Sequence, residues 1–324
     1  MQPTLLSIVL LGMPLAFCSP TMAAEQSFPT KPIRIIATAT AGGGVDTSSR
    51  IVAQGMQETL GQPGVVENRP GGGGAAGSDF VAKAPADGHT LLTISISHAV
   101  LPSSHKNLPY SPERDLAPVA VMVNSPNLLV AHPSLPSKSI KELIAIARQR
   151  PGDINYASSG SASPSHLATE YLKLLAKIDL THVPYKGTAP GLTDVVAGRV
   201  SLMFTSIISA RHLVEAGKLR ALATAGSKRA AGAPELPTIA EAGVPGYAVD
   251  VWYAMLAPAA TPRPVLERLN QAVATTLRSP DVLKKLAALG LEPAVESLAA
   301  TDAYIKSEIK KWARVVAAAK ITAE

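Results

Sequence analysis

The sequence predicts a two-domain α/β protein in which each domain is a mainly parallel β-sheet flanked by helices. The chain has 324 residues, which suits two domains of ordinary size. Its hydrophobic content of 47% is typical of a globular protein. After residue 24, short runs of β-branched residues alternate with segments of helical periodicity. This alternation is the pattern of parallel strands joined by helices.

The elements of the first half follow from hydrophobic periodicity and from the residues that stop it. The strands are predicted in PIRIIATA, HTLLTISI, APVAVMV and NLLVAH, with a short strand at 65–67. The helices are predicted in TSSRIVAQGMQETLG, SDFVAKA and SIKELIAIARQR. Gly61 ends the first helix and Pro151 ends the last, because neither residue type continues a helix well.

The second half repeats this alternation and then becomes mostly helical. Strands are predicted in INYASSG, LTHVPY, VSLMFTS and KLRALATAG, and helices between them in SPSHLATEYLKLLAK, GLTDVVAG and ARHLVEAG. The C-terminal helices are predicted in PRPVLERLNQAVATTLR, PDVLKKLAALG and TDAYIKSEIKKWARVVAAA. In a sheet built this way, ligands bind beyond the carboxyl ends of the strands, where strands lead into helices.

Residues 1–24 predict a secretory signal peptide and a periplasmic protein. The apolar run LLSIVLLGMPLAFC is too short for a spanning helix, and small residues follow it up to Ala24. No Lys or Arg precedes the run, which is atypical of a signal peptide. The chain's single cysteine, Cys18, lies within this segment, so the exported chain has no disulfide or cysteine nucleophile. A lipid anchor on Cys18 is the less favoured alternative.

The charge pattern argues against nucleic-acid binding. The formal net charge is +6, but the basic residues are scattered and form no stripe with interleaved aromatic residues. A net positive field still favours encounter with small anions. Aromatic residues make up only 4% of the chain, which argues against a sugar-binding cleft.

The segment RPGGGGAAGSD at 69–79 contains the glycine spacing of a dinucleotide-binding loop. Such a loop needs an acidic residue about twenty positions later for the ribose, and the chain has LLTISISHA there. The sequence therefore predicts no nucleotide cofactor.

Two Gly- and Ser-rich loops lie between a predicted strand and a predicted helix, TATAGGGVD at 38–46 and ASSGSASPSH at 157–166. Each contains a predicted helix cap, Asp46 or Ser163. A helix N-terminus has free N–H groups and a partial positive charge, so two such loops from two domains would hold an anion from both sides. The alternative is that both are tight turns with good caps.

No catalytic or metal-binding constellation is found in the sequence. There is no G-x-S-x-G motif, and the spacing of Ser103 and Lys106 recurs at Ser307 and Lys310, as chance allows. His166 and Glu170 lie one helical turn apart, but no third metal ligand has a recognisable spacing. We predict that His166 instead makes local hydrogen bonds, as a donor, and that the protein has no metal and is not an enzyme.

Seven segments taken together resemble the substrate-binding proteins of tripartite tricarboxylate transporters, the Bug-type receptors. They are FPTKPIRIIATATAGGGVDTSSRIVA, VVENRPGGGGAAGSDFVAKAPADGHTLL, LPYSPERDLAPVAV, PGDINYASSGSASPSHLATEYL, VPYKGTAPGLTDVVAGRV, AGKLRALATAGSKR and PELPTIAEAGVPGY with the following WYAMLAPAATP. They occur in the family's order and cover the chain from about Phe28 to its end.

The resemblance implies a two-domain periplasmic-binding-protein fold of the Venus flytrap type, with a two-segment hinge. Domain 1 is expected at 25–124 and 248–324, and domain 2 at 125–247. The protein would be a monomer that captures a small carboxylate in the cleft and delivers it to the membrane components of a tripartite transporter. The alternative is a sensor of the same fold that serves a signalling partner.

The ligand-binding residues follow from the two loops, from the resemblance and from strand ends that should reach the cleft. The family implies contacts from the Ala41–Gly43 loop on one side and from the 158–165 loop on the other, with bridging waters. Lys186 and Tyr185 follow a predicted strand, and Lys186 is a candidate cation for the ligand. The full set of predicted ligand-binding residues is Thr40, Ala41, Gly42, Gly43, Asp46, Ser97, Ser158, Ser159, Gly160, Ser161, Ser165, His166, Tyr185, Lys186, Ser201 and Thr205.

Two departures from the family pattern bear on the ligand. Thr38 and Thr40 stand where the family usually has Phe or Pro, which predicts a smaller and more polar pocket wall. Ser201 and Thr205 stand where the family has two aspartates. Because those acidic groups can pair with a ligand ammonium, their loss favours a simple mono- or dicarboxylate over an amino acid.

Overall fold

The computed structural model describes residues 28–105 and 107–321. The predicted signal peptide, Cys18 and Lys106 lie outside the described residues. The described chain forms two β-sheets with helices packed on both, so the predicted two-domain α/β fold is confirmed.

The first sheet has six strands, which come from the N-terminal and C-terminal parts of the described chain. Its strands are β1 (Ile33–Ala37), β2 (Gly64–Asn68), β3 (Thr90–Ser95), β4 (Leu116–Ser125), β10 (Val251–Pro258) and β11 (Glu292–Pro293), in the order β11-β4-β10-β3-β1-β2. The helices of this part are α1 (Gly44–Leu60), α2 (Ala75–Ala82), α3 (Ser97–Ser104), α8 (Arg263–Arg278), α9 (Pro280–Ala288) and α10 (Leu298–Ala319).

The second sheet has five strands from the middle of the chain. They are β5 (Asn127–Ala131), β6 (Asn155–Ser158), β7 (Thr181–Pro184), β8 (Leu202–Ser206) and β9 (Arg220–Thr224), in the order β7-β6-β8-β5-β9. Its helices are α4 (Ile140–Gln149), α5 (Pro164–Ala176), α6 (Thr188–Val196) and α7 (Ile207–Glu215).

Most described strands of each sheet run in one direction, as predicted. In the first sheet β1 to β4 run one way and β10 and β11 run the other. In the second sheet only β5 runs against its neighbours. The reversed strands β5 and β10 are each the first strand after the chain has crossed from the other sheet. Neither is therefore joined to a preceding strand of its own sheet by a βα unit.

The two crossing segments lie side by side. The end of β4 and the start of β10 are paired antiparallel, with Ser125 opposite Val251, and Pro126 follows at once. This pairing places both crossings in one narrow region, the arrangement that a two-segment hinge requires. The sheet changes between Ser125 and Asn127, and again between Thr224 and Val251. The predicted boundaries at 124/125 and 247/248 stay predictions.

The helices form where amphipathic periodicity is bounded by capping residues. In α1 the buried face repeats at Val45, Val52, Met56 and Leu60, and Gly61 ends the helix with a φ of 72° while its N–H bonds Gln57. In α4 the Ser139 hydroxyl accepts the N–H of Glu142, the N-terminal capping contact that stabilises a helix start.

Helix α10 is fixed to the first sheet by a buried polar contact. The indole N–H groups of Trp252 in β10 and Trp312 in α10 both donate to Glu308 Oε2, at 3.0 and 3.1 Å. Lys311 forms an ion pair with the same carboxylate, which balances its buried charge. No helix within 28–105 and 107–321 is both long and apolar enough to cross a membrane.

Candidate functional site

A cavity of about 520 Å³ lies between the two sheets, at the carboxyl ends of their parallel strands. It opens beside the crossing segments, and both parts of the chain contribute to its wall. The lining residues are Gly42, Gly44, Thr47, Ser125, Asn127, Ser159, Pro164, Ser165, Thr188, Phe204, Thr205, Ser206, Ile208, Ser209, Val251, Tyr253, Leu289 and Leu291. The volume lies within the range of about 300–1,000 Å³ for small-molecule sites.

Four helices begin at this cavity. Helix α1 begins at Gly44, α5 at Pro164, α6 at Thr188 and α7 at Ile207, and the first or second residue of each lines the wall. Helix starts have N–H groups without intrahelical acceptors, and each helix dipole places about half a positive charge there. The cavity therefore favours an anion without needing a cationic side chain.

None of the described side chains that line the cavity is charged. Its polar groups are hydroxyls, one side-chain amide and backbone N–H groups, all of which can donate hydrogen bonds to a carboxylate. A ligand ammonium would find no acidic partner among these lining residues. The predicted preference for a simple carboxylate over an amino acid stays a prediction.

The predicted capping role of Asp46 is corrected by the structure. Gly43 is the N-cap of α1, and Asp46 lies within the first turn, where it is buried. Its Oδ2 accepts the Gly42 N–H at 2.9 Å, and its Oδ1 accepts donors from Arg50 and Asn68 at 3.0 and 2.9 Å. Asp46 thus organises the 41–44 loop from behind and does not line the cavity.

The pKa of Asp46 lies below its ordinary value. Burial by itself raises the pKa, but the hydrogen bonds from Arg50, Gly42 and Asn68 outweigh it. The carboxylate is therefore ionised at neutral pH, and its charge is balanced by Arg50 at 2.9 Å.

The serine-rich loop presents Ser165 and Ser159 to the cavity. The Ser165 Oγ accepts the Ser159 N–H at 3.0 Å and lies 3.1 Å from the Ser163 Oγ. Ser163 is the N-cap of α5, as predicted, and accepts the His166 N–H at 3.4 Å. The hydroxyls thus form a connected group at the start of α5, with Ser165 at the wall.

Ser158 and His166 lie behind this loop and not at the wall of the cavity. Ser158 is fully buried, and its Oγ is 2.6 Å from His182 Nε2. His166 accepts the Ala162 N–H at its Nδ1, at 3.0 Å, so the expectation that it acts as a local donor through that contact is wrong. Because Nδ1 is an acceptor, the neutral ring has its proton on Nε2.

The rings of His166 and His182 stack behind the loop, with Tyr156 alongside. Burial, together with the smaller effect of the nearby His182, lowers the pKa of His166 to about 4. Burial also lowers the pKa of His182. Both rings are therefore neutral near pH 7 and act as rigid packing for the loop.

Thr205 and Ser201 occupy opposite ends of the same strand region. Thr205 lies at the carboxyl end of β8, where it is 2% exposed and lines the cavity. Ser201 precedes β8, and its N–H donates to Asn155 Oδ1 at 2.8 Å. Since a strand rises about 3.3 Å per residue, Ser201 lies at the far edge of the sheet, and its placement among the ligand-binding residues is corrected.

The remaining predicted residues do not line this cavity. Ser97 and Ser161 line a neighbouring cavity of about 450 Å³, which shares Pro164 with the first. Tyr185 donates its hydroxyl to Asp194 at 2.7 Å, and Lys186 is exposed. Thr40, Ala41, Gly43 and Gly160 lie in the two loops, where Thr40 and Gly160 accept backbone N–H groups from Gly43 and Ser163.

Several lining residues were not predicted from the sequence. Ser206 ends the predicted strand VSLMFTS and Ser209 follows it, and Ser206 caps α7 by accepting the Ser209 N–H. This is the same capping chemistry as in the serine-rich loop, so it was a signal that could have identified them. Ser125, Asn127 and Tyr253 carry no local signal, because they reach the cavity only through the side-by-side crossing of β4 and β10.

The chain is similar to known receptors over almost its whole length. The profile of a family described as tripartite tricarboxylate transporter family receptor, TctC, matches residues 48–321. Protein BugT of Bordetella pertussis is 36% identical over 293 residues, which cover 90% of each chain.

Two solved structures of comparable similarity have bound acids. The R. palustris protein Rpa4515 with adipate is 38% identical, with a TM-score of 0.76 over 91% of this chain and 99% of that one. MatC from Rhodopseudomonas palustris with bound malate is 34% identical, with a TM-score of 0.72 over 89% of this chain and 100% of that one.

Members of this family are periplasmic receptors that bind substrates and are not enzymes. The profile match, the relatives that align over most of the chain and their shared fold all indicate a receptor. The cavity at the helix starts is the kind of site that a receptor needs. This chain belongs to the tripartite tricarboxylate transporter receptor family.

Proposed function

We propose that this protein captures a small carboxylate in the cavity between its two sheets and delivers it to the membrane components of a tripartite transporter. The observation that carries the proposal is the uncharged cavity wall at four helix starts. Such a wall stabilises a negative ligand through fixed N–H groups and hydroxyls, and each charge-assisted hydrogen bond contributes about 1.5–3 kcal/mol.

The first carboxylate is held between the starts of α1 and α5. The 41–44 loop is positioned by Asp46, and the opposing group is the Ser159 and Ser165 pair. The two relatives with adipate and malate support a carboxylate ligand, because both have the same family fold and similar length. The predicted domains, 25–124 with 248–324 and 125–247, would then close on the ligand from opposite sides, with the protein acting as a periplasmic monomer.

Thermal denaturation of the purified protein tests this proposal. The midpoint is measured against mono-, di- and tricarboxylates, amino acids and sugars, because a ligand that binds only the folded state must raise it. The stabilisation is about 2.7 kcal/mol at a hundredfold excess over the dissociation constant. We expect shifts with carboxylates alone. Shifts only with amino acids or sugars would contradict the proposal.

A pair of serine variants links the effect to the cavity. Ser165→Ala removes a lining hydroxyl and should weaken carboxylate binding about tenfold or more. Ser307→Ala on α10 removes an exposed hydroxyl that donates within its own helix and should leave the binding unchanged. Equal binding by both variants would show that the ligand does not contact the start of α5.

A further inference from the structure

A non-covalent connection between the two parts of the chain lies beside the cavity, away from the serine-rich loop. The turn at 289–291 joins α9 to β11 of the first sheet, whereas α7 follows β8 of the second sheet. Leu289 and Leu291 of this turn line the cavity, and so does Ile208 in the first turn of α7. The turn and the start of α7 therefore form one side of the cavity together.

An apolar contact joins these two elements. A β-carbon added to Gly290 would lie 3.5 Å from the Ile208 β-carbon and 3.8 Å from the Ile208 N, which are ordinary van der Waals distances. Ile208 is 47% exposed and Leu289 is 38% exposed, although both side chains are large and apolar. Contact between the turn and α7 removes apolar area from water, so it favours the arrangement in which this side of the cavity is shut.

A polar contact lies next to the apolar one. The Glu292 Oε1 accepts the Ala231 N–H at 2.8 Å, between β11 and the segment that follows β9. This segment is fixed to α7, because Ala230 and Ala233 pack with Ile207 in one buried cluster. Both contacts therefore connect the same two pieces of structure, one from each sheet.

The turn itself is held firmly on the first sheet. Gly290 has a φ of 64°, and its N–H donates to the Ala287 carbonyl. The Leu291 N–H donates to the Leu286 carbonyl, which completes the Schellman motif that ends α9. Leu286 and Leu291 are buried in one cluster with Met255 of β10. Because the turn and α7 are each fixed to their own sheet, moving the sheets apart must separate both contacts.

We propose that these contacts form a gate on the cavity, the α7 gate, with Gly290 and Glu292 on one side and Ile208 and Ala231 on the other. The gate is closed around a bound ligand and opens for the ligand to enter or leave. One apolar contact and one exposed hydrogen bond are weak, so they separate without unfolding either part. This inference rests on the proposed function, because the gate controls the exchange of the same ligand.

A disulfide across the gate tests the inference. Ile208→Cys with Gly290→Cys places two β-carbons 3.5 Å apart, within the range of about 3.5–4.5 Å for disulfides. The chain's one cysteine is Cys18, so Cys18→Ser in the same protein leaves the introduced pair as its only thiols. Binding of succinate, malate, adipate and citrate is measured by calorimetry before and after reduction. The single variants Ile208→Cys and Gly290→Cys are the matched controls, because neither can form the bridge.

The lock should trap whichever state of the cavity it closes on. Protein oxidised without an acid is expected to give no binding heat, and protein oxidised with an acid is expected to retain it through gel filtration. Reduction should restore binding and release. Normal binding by the oxidised protein, with the disulfide confirmed by mass spectrometry, would overturn the gate. Failure of the disulfide to form in a folded double variant would overturn it as well, since the two positions would then not be in contact.

Variants of Glu292 test the polar contact without changing Gly290, whose left-handed φ disfavours a side chain. Glu292→Ala removes the acceptor of the Ala231 N–H, so the ligand should dissociate about three- to tenfold faster. Glu292→Gln keeps an oxygen at this position and should restore the slow dissociation, which separates the contact from the charge. A lower melting midpoint with an unchanged dissociation rate would make Glu292 a structural residue and remove it from the gate.

The outcomes separate this inference from the proposed function. Carboxylates that bind the oxidised and the reduced double variant equally well would overturn the gate and leave the proposed function intact. Binding of amino acids or sugars and of none of the four acids would overturn both, because the gate is assigned to a carboxylate ligand.

Discussion

The α-carbon of Gly44 lies against the phenol of Tyr253, so close that a methyl group on Gly44 would overlap the ring. Gly44 is the first residue of α1, and Tyr253 belongs to β10 beside the crossing segments. Both line the cavity. The contact therefore joins the start of a helix at the cavity wall to the strand that returns the chain to the first sheet.

Gly44→Ala should weaken ligand binding more than it destabilises the fold. The added methyl group displaces the Tyr253 ring, and overpacking of this kind costs about 1–3 kcal/mol when the surroundings are rigid. Because Tyr253 lines the cavity, displacing its ring alters the cavity wall, so we expect most of the effect in the dissociation constant, measured by calorimetry.

A double-mutant cycle with Tyr253→Ala checks the physical cause. Removing the ring should make a further Gly44→Ala change nearly neutral for binding, since the clash no longer exists. If the two changes are additive, the overlap with Tyr253 does not explain the loss.

The stacked histidines predict a loss of stability in acid. The pKa of His166 is about 4 because of burial, against about 6.5 in an unfolded chain. Between these values the unfolded state binds more protons, so stability falls as the pH drops from about 6.5 to about 4. The contribution of His166 is about 3 kcal/mol at most. His182, Glu170 and Lys173 are the titratable groups around this ring.

Comparison with His166→Asn measures that contribution. Asn keeps an acceptor near the position of Nδ1 for the Ala162 N–H but does not titrate. Denaturant unfolding at several pH values should show a shallower decline for the variant. His98 in α3, whose pKa burial also lowers to about 4, contributes equally in both proteins. Identical slopes would rule out His166 as a source of the acid sensitivity.

Asp46→Asn should disrupt the 41–44 loop. The amide can accept the Gly42 N–H, but its NH₂ group then faces the donors of Arg50 and Asn68. Losing these buried contacts is expected to lower the free energy of unfolding by about 1–3 kcal/mol and to weaken carboxylate binding. Chemical denaturation and calorimetry measure the two effects.

Asp302→Asn is the control for charge removal alone. Asp302 forms an exposed pair with Lys306 on α10, and such pairs contribute little to stability. A similar loss of binding in both variants would mean that net charge, and not the geometry of the loop, is responsible.

Ligand binding should close the cleft. A ligand that contacts residues from both sheets stabilises the closed conformation, in which both sheets' residues reach it. The paired crossings at Ser125 and Val251 provide the narrow connection about which the two halves of the cleft can move. Small-angle scattering is expected to show a smaller radius of gyration with a saturating carboxylate. An unchanged scattering curve with a bound ligand would contradict closure.

Much of the fold and part of the site follow from local sequence. The strands and helices are set by periodicity and by capping residues such as Ser139 and Ser163, which act within a few positions of themselves. The two Gly- and Ser-rich loops were likewise predicted from residues within a few positions of one another. Of the predicted ligand-binding residues, Gly42, Ser159, Ser165 and Thr205 line the cavity. Residue type and neighbours are sufficient for such features, because the interactions are short in range.

Only the tertiary structure decided which of these residues face the cavity. Ser158 and Ser159 are adjacent in sequence, yet Ser158 is buried against His182 while Ser159 lines the wall, since successive residues point to opposite sides of an extended segment. Asp46, expected as a cap, supports the loop from behind. Tyr253, Ser125 and Asn127 reach the cavity because β10 crosses beside β4, a pairing between residues more than a hundred positions apart that no local pattern encodes.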